Sequence, residues 1–101
     1  MIDKHSKTLL VIVAEATLEA RLVRDARQLG AHVWTVVEVR GGAVEGEREG
    51  RWEADRTIEL KVVCDAPSAE AIARHVLDRY AANYSVALYF AEVGVVRADH
   101  F

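Results

Sequence analysis

Proline, cysteine and methionine occur once each in this 101-residue chain, and basic residues do not exceed acidic ones. Each shortage excludes something. A lone Cys64 can form no intrachain disulfide and fits a reducing compartment. With a formal net charge of −3 there is no basic stripe to neutralise phosphates, which argues against a nucleic-acid partner. No apolar run approaches the ~20 residues that cross a bilayer. The short N-terminal run in MIDKHSKTLLVIVAEA lacks a small-residue cleavage pattern and passes straight into an acidic helix, so we expect no signal peptide, no membrane insertion and a cytoplasmic protein. The four histidines, His5, His32, His75 and His100, are scattered. With Cys64 they show none of the spacing that metal sites use.

What is present reads as alternating strand and helix patterns in a single domain. Lys7 to Ala14 is apolar on both alternating faces, as in a strand covered from two sides. From Thr17 the period changes: Leu18, Leu22, Val23, Ala26 and Leu29 recur at helical spacing, with Glu19, Arg21, Arg24, Asp25 and Arg27 between them and Gly30 as the stop. Ala31 to Val39 and Thr57 to Cys64 return to a period of two. Pro67 opens a second helix with a stripe of Ala69, Ile72, Ala73, Val76, Leu77 and Tyr80, and Ser85 to Val96 is a last strand. His75 falls on the polar side of that helix and reads as solvated, Cys64 as a small core residue. The inward stripes hold no ionisable group except Cys64 and the Tyr80 phenol, so acid–base catalysis has no visible machinery and we expect no enzyme.

Between the two middle strands lies EVRGGAVEGEREGRWEADR, from Glu38 to Arg56, with four of the six glycines. It has no apolar period, and its glycines raise the entropic cost of ordering. Hairpin loops are commonly about two to five residues. A connection this long between two strands is either a binding or signalling loop, mobile when alone, or a solvated hairpin tip. Trp52 within it either stacks on a ligand or anchors in a partner, or else folds onto its own sheet edge.

The order β-α-β-β-α-β predicts an α+β ferredoxin-like sandwich, a four-stranded antiparallel sheet with two helices on one face. Strands one, two and four are apolar on both faces, yet the helices cover one. The second face predicts a homo-oligomer in which sheet packs on sheet.

The run Leu9 to Glu15, the Gly30-Ala31 turn into Thr35-Val36-Val37, the long loop opening on Gly41-Gly42 and the closing strand together resemble the PII-like signalling proteins, nearest to the carboxysome-associated and bicarbonate-transporter-linked branch. The resemblance covers almost the whole chain, through pattern and length. It implies a homotrimer with adenine-nucleotide sites between subunits, roofed by the base of the long loop (about residues 40–56), which reports the bound effector to a partner such as a bicarbonate transporter or carboxysome component. Carried onto this chain, Thr35 and Val36 sit against the adenine, Ile12 and Val63 give apolar contact, Gly41 and Gly42 bring backbone N–H groups to the phosphates, and Val86, Ala87 and Leu88 of the facing subunit close the cleft. Arg40, Arg48, Arg51 and Arg97 supply cations, and an arginine fork also matches planar bicarbonate. Trp52 is the candidate partner contact.

The chain departs from nitrogen-sensing members of that family. From Gly41 to Asp55 there is no tyrosine to uridylylate and no glutamine, which disfavours magnesium-ATP-dependent 2-oxoglutarate binding. NYSVALY replaces the glycine-and-lysine motif that grips a triphosphate. ADP or AMP is therefore the expected ligand. Two other classes share the topology: a dimeric-barrel enzyme, and a trimeric metal-tolerance protein.

Overall fold

The computed structural model describes residues 1–41 and 56–101. The order is β1 (His5–Glu15), a 3-10 turn (Ala16–Leu18), α1 (Glu19–Gln28), β2 (Trp34–Val39), β3 (Thr57–Cys64), α2 (Ala66–Tyr80), β4 (Val86–Val95) and a closing 3-10 turn (Ala98–His100). The strands form one antiparallel sheet in the order β2-β3-β1-β4. This is the ferredoxin-like arrangement expected from the element order.

Register decides which residues meet the helices. Leu10, Ile12 and Ala14 of β1 lie opposite Val62, Leu60 and Ile58 of β3 and beside Phe90, Leu88 and Val86 of β4. Because cross-strand partners share a face, this set forms one apolar floor. Leu18 of the 3-10 turn, Leu22 and Ala26 of α1 and Ala69, Ile72, Ala73, Val76 and Tyr80 of α2 bury against it. Leu77 does not join them: it is 51% exposed. One residue past Val76, it has turned ~100° away from the sheet.

Local chemistry sets the element ends. After α1, the Ala31 N–H reaches the Ala26 carbonyl at 2.9 Å and the Gly30 N–H reaches that of Arg27 at 3.3 Å, the double bond of a Schellman cap. Ala31 is thereby buried as part of the cap, and β2 starts at Trp34, three residues later than its alternating pattern suggests. At α2, Pro67 occupies the first turn and Asp65 the N-cap position, but the Asp65 carboxylate makes no capping bond. It pairs instead with Lys7 Nζ at 2.6 Å.

Gly30 has φ +116°, and a Cβ there would stand 2.7 Å from Ser68 Oγ. Gly30→Ala should therefore cost about 1–2 kcal/mol from the left-handed backbone, plus the clash with α2. A fall in the urea midpoint, partly recovered in the Gly30→Ala/Ser68→Ala double variant, is the expected result.

The face away from the helices carries Leu9, Val11, Val13, Val37, Val63, Ala87, Tyr89, Ala91 and Val93, but Lys7, Glu59 and Lys61 cross its middle. It is less bare than the sequence pattern suggests. Val11 is only 1% exposed, because the register sets it between Lys61 and Tyr89, whose long side chains flank it. Among the described residues no helix is long and apolar enough to cross a membrane.

Candidate functional site between two sheet edges

The sequence-predicted binding residues divide into two groups. Thr35 and Val36 lie on β2 and point to opposite faces, Thr35 exposed on the open side and Val36 half-buried on the helix side. Arg40 and Gly41 follow at the exposed end of β2, with open space beside Gly41. Val86, Ala87 and Leu88 start β4; Val86 and Leu88 pack against the core while Ala87 is exposed on the open face. β2 and β4 are the two outer strands. At ~4.8 Å per strand spacing they stand about 14 Å apart, so one chain cannot close both groups on a small ligand.

The other predicted residues have distinct places. Val63 is half-buried on the open face of β3, opposite Leu9. Ile12 is completely enclosed in the core, so within one chain it backs the sheet rather than lining a surface. Arg97 is exposed just after β4 and has φ 62°, the one non-glycine residue with positive φ among those described. A left-handed arginine costs about 1 kcal/mol or more, and such residues cluster at ligand sites. Gly42, Arg48, Arg51 and Trp52 lie outside the described residues.

The base of the long connection is tied down on both sides. The Ala16 N–H donates to the Arg56 carbonyl at 2.8 Å, and Arg56 faces Glu38 across the exposed base at 3.5 Å. At the start of β4 the Ser85 N–H donates to Glu15 Oε2 at 2.7 Å. Both edges of the candidate site are thus anchored to the end of β1.

Sequence reasoning missed a polar cluster between the helices. Asp25, which the helical pattern sets between the apolar positions of α1, is 5% exposed. Its Oδ2 accepts from the Tyr80 hydroxyl and lies 3.0 Å from His75 Nε2, while Arg24 donates to Oδ1 through Nε and Nη2 at 3.2 Å each. His75 is accordingly half-buried and bonded rather than solvated. Burial pushes the Asp25 carboxyl up, but the bonds from Tyr80, His75 and Arg24 outweigh it and hold the carboxyl below its ordinary value. Burial, then the bond to Asp25 and its charge, push the Tyr80 phenol up. Arg21 extends the cluster, lying over the rings of Tyr80 and Tyr84 at 5.9 and 5.4 Å and donating to the Tyr84 hydroxyl at 3.3 Å. A signal was available: Asp25 is three residues after Leu22 and seven after Leu18, on the buried stripe.

Cys64 is buried, and that burial, with Asp65 nearby, raises its thiol while Lys7 opposes the shift. Such a thiol is a poor nucleophile. Among the described residues no three His, Cys, Asp or Glu converge on a metal position.

Fold and candidate site together define a small α+β protein with a long β2–β3 insertion, whose candidate ligand residues are divided between opposite edges of its sheet. Residues 7–100 match the family of the nitrogen regulatory protein P-II, and the chain belongs to that family. It is similar to a protein of Thermus thermophilus classed as a PII-like signaling protein, with 33% identity over 99% of both chains and a TM-score of 0.83. It also shares its fold with CPII of Thiomonas intermedia, a nitrogen regulatory PII-like protein solved with ADP, AMP and bicarbonate: 16% identity, 100% of this chain, 98% of that one, TM-score 0.83. GlnK of B. subtilis superposes with a TM-score of 0.62 at 12% identity, covering 88% of this chain and 86% of GlnK. No curated protein sequence matches the chain.

Proposed function

We propose that this protein is a regulatory homotrimer that binds ADP or AMP, and bicarbonate, in clefts between subunits, and signals through residues 40–56 to a cytoplasmic or membrane-associated partner in inorganic-carbon metabolism, such as a bicarbonate transporter or carboxysome component. The observation that carries the reading is the division of the candidate ligand residues between β2 and β4, the two outer strands. In a ring of copies the β2 edge of one chain faces the β4 edge of the next, which brings Thr35, Val36, Arg40 and Gly41 against Val86, Ala87 and Leu88. Family membership and the ligands bound by the Thiomonas protein support the same assignment. Arg97 joins the cleft as a phosphate or bicarbonate donor, its planar fork suited to either anion.

An enzymatic reading lacks a comparable observation. The buried carboxylate, Asp25, is surrounded by its own partners and lines neither of the two cavities beside α1 and Trp34.

Calorimetry with ADP, AMP, ATP and bicarbonate, alongside the particle mass in solution, tests the proposal. We expect an oligomer that binds ADP or AMP more tightly than ATP. A monomer of 11.2 kDa at working concentration, or no adenylate binding, would overturn it. Arg97→Gly separates the roles of that position: glycine removes the left-handed penalty, so stability should hold or rise by up to about 1 kcal/mol. Loss of the guanidinium should weaken nucleotide binding at least about tenfold, a charge-assisted bond being worth ~1.5–3 kcal/mol.

A further inference from the structure

We propose that the closing 3-10 turn of one copy, Ala98–His100, docks in a trough at the start of the next copy's β2, where its Asp99 carboxylate pairs with Arg27. This contact presupposes the trimer of the proposed function, and it closes each seam beyond the nucleotide.

The first observation is strand direction. With the open faces meeting at the centre of the ring and the outer strands adjoining edge to edge, the ring axis runs along the strands, and rotation about it preserves their direction. Within one chain β2 runs parallel to β1, since both are antiparallel to β3, whereas β4 is antiparallel to β1. Across the seam, β2 of one copy and β4 of the next therefore run in opposite directions. The arrangement that sets Gly41 against Val86 then sets His32 against Val95. The residues after Val95 fall beside the end of α1 and the start of β2.

The second is what waits there. A cavity of about 620 Å³ is lined by Arg24, Arg27, Gln28, Ala31, His32 and Trp34, with no acidic residue among them. The Arg27 guanidinium lies over the Trp34 ring at 5.3 Å and makes no ion pair among the described residues. Its five N–H donors, rigidly forked, suit a carboxylate. Arg24 beside it already has an acidic partner, Asp25.

The third is the guest. Arg97, with φ 62°, takes the chain off the line of β4 and into the 3-10 turn. The Asp99 side chain on that turn is 82% exposed, and among the described residues its one ion pair is with its own neighbour His100, at 3.8 Å. The other acid toward this end of β4, Glu92, is engaged by Ser6 Oγ at 3.0 Å. At three residues per turn, side chains two apart point roughly 120° away from each other. Arg97 can thus face the nucleotide cleft while Asp99 faces the trough.

The test is subunit exchange between isotope-labelled and unlabelled copies of the full-length protein, followed by native mass spectrometry. It compares the unaltered chain with Arg27→Glu, Asp99→Lys and the double charge reversal. Both positions are exposed in a single chain, so far-UV circular dichroism should be unchanged in all three variants. Each single change sets like charges together at every seam and should speed exchange at least about tenfold. The double variant should return to within about threefold of the unaltered rate, and added salt should shrink the differences. Exchange unmoved by the single changes, or a double variant as fast as the faster single one, overturns the proposal. A monomeric unaltered protein overturns the trimer and this contact together, whereas an oligomer that binds ADP but shows no coupling between the two charges overturns this contact alone.

Discussion

Asp25→Ala should be the most destabilising polar substitution in the chain, at about 3 kcal/mol. The carboxylate is buried, and its loss leaves the Tyr80 hydroxyl and His75 Nε2 facing a cavity without their acceptor. Stranding a buried hydrogen-bonding group costs ~1–3 kcal/mol, and breaking a buried charged cluster ~3–5. For a domain of this size the midpoint of melting should fall by roughly 12–24 °C at fixed protein concentration. Asp25→Asn keeps the shape and an acceptor oxygen and should cost less. A loss under about 1 kcal/mol in Asp25→Ala would mean that the helices do not depend on this cluster.

The cluster also sets a pH dependence. Asp25 is held below its ordinary value in the folded chain, so its contribution is present above the unfolded carboxyl value of about 3.9. It is lost as pH falls through the lower folded value. Urea midpoints measured from pH 7 down to pH 2 should drop less steeply in Asp25→Asn than in the unaltered protein. Parallel curves would contradict this assignment.

The second large effect is expected at Tyr89, on assembly rather than folding. Tyr89 is 52% exposed on the open face of β4, so Tyr89→Lys removes little from a single chain. In the proposed trimer the same lysine sits in the seam, where an unpaired charge costs several kcal/mol. Lysine is chosen over glutamate because Lys61 shares this cross-strand row and would neutralise an acid. Light scattering should show the particle mass falling toward that of one chain, and adenylate affinity should drop at least about a hundredfold, since each cleft needs two chains. Tyr89→Phe should preserve both. A Tyr89→Lys oligomer with unchanged nucleotide affinity would sink the proposal that the open faces meet.

The legible part of the fold was the part written in periodicity. The switch from period two to period 3.6 near Thr17, the return to alternation at Thr57 and Pro67 before the second stripe gave strands and helices within a few residues of their places. Boundaries failed where a cap competed with a pattern. Ala31 continues the alternation of β2, but the Schellman bond to Ala26 takes its N–H, and the strand waits until Trp34. Leu77 failed for a related reason: hydropathy placed it on the stripe, while the helical angle turned it outward.

The candidate site was less legible. The family resemblance suggested Thr35, Val36 and the Val86–Leu88 run, but nothing local to either segment says that they occupy opposite edges of one sheet. That follows from the order β2-β3-β1-β4. The contact of Arg27 with Trp34 joins a helix to a strand that begins after a cap, and it depends on how α1 lies across the sheet.

The amino-acid order by itself determined the elements, their α+β class and the family, because hydrophobic period and turn chemistry act over neighbouring residues. Tertiary structure alone decided that Asp25 is buried, that Arg27 rests on Trp34, and that the candidate ligand residues stand too far apart to meet within one chain. Those depend on helix placement and strand order, which bring together residues that lie far apart in sequence.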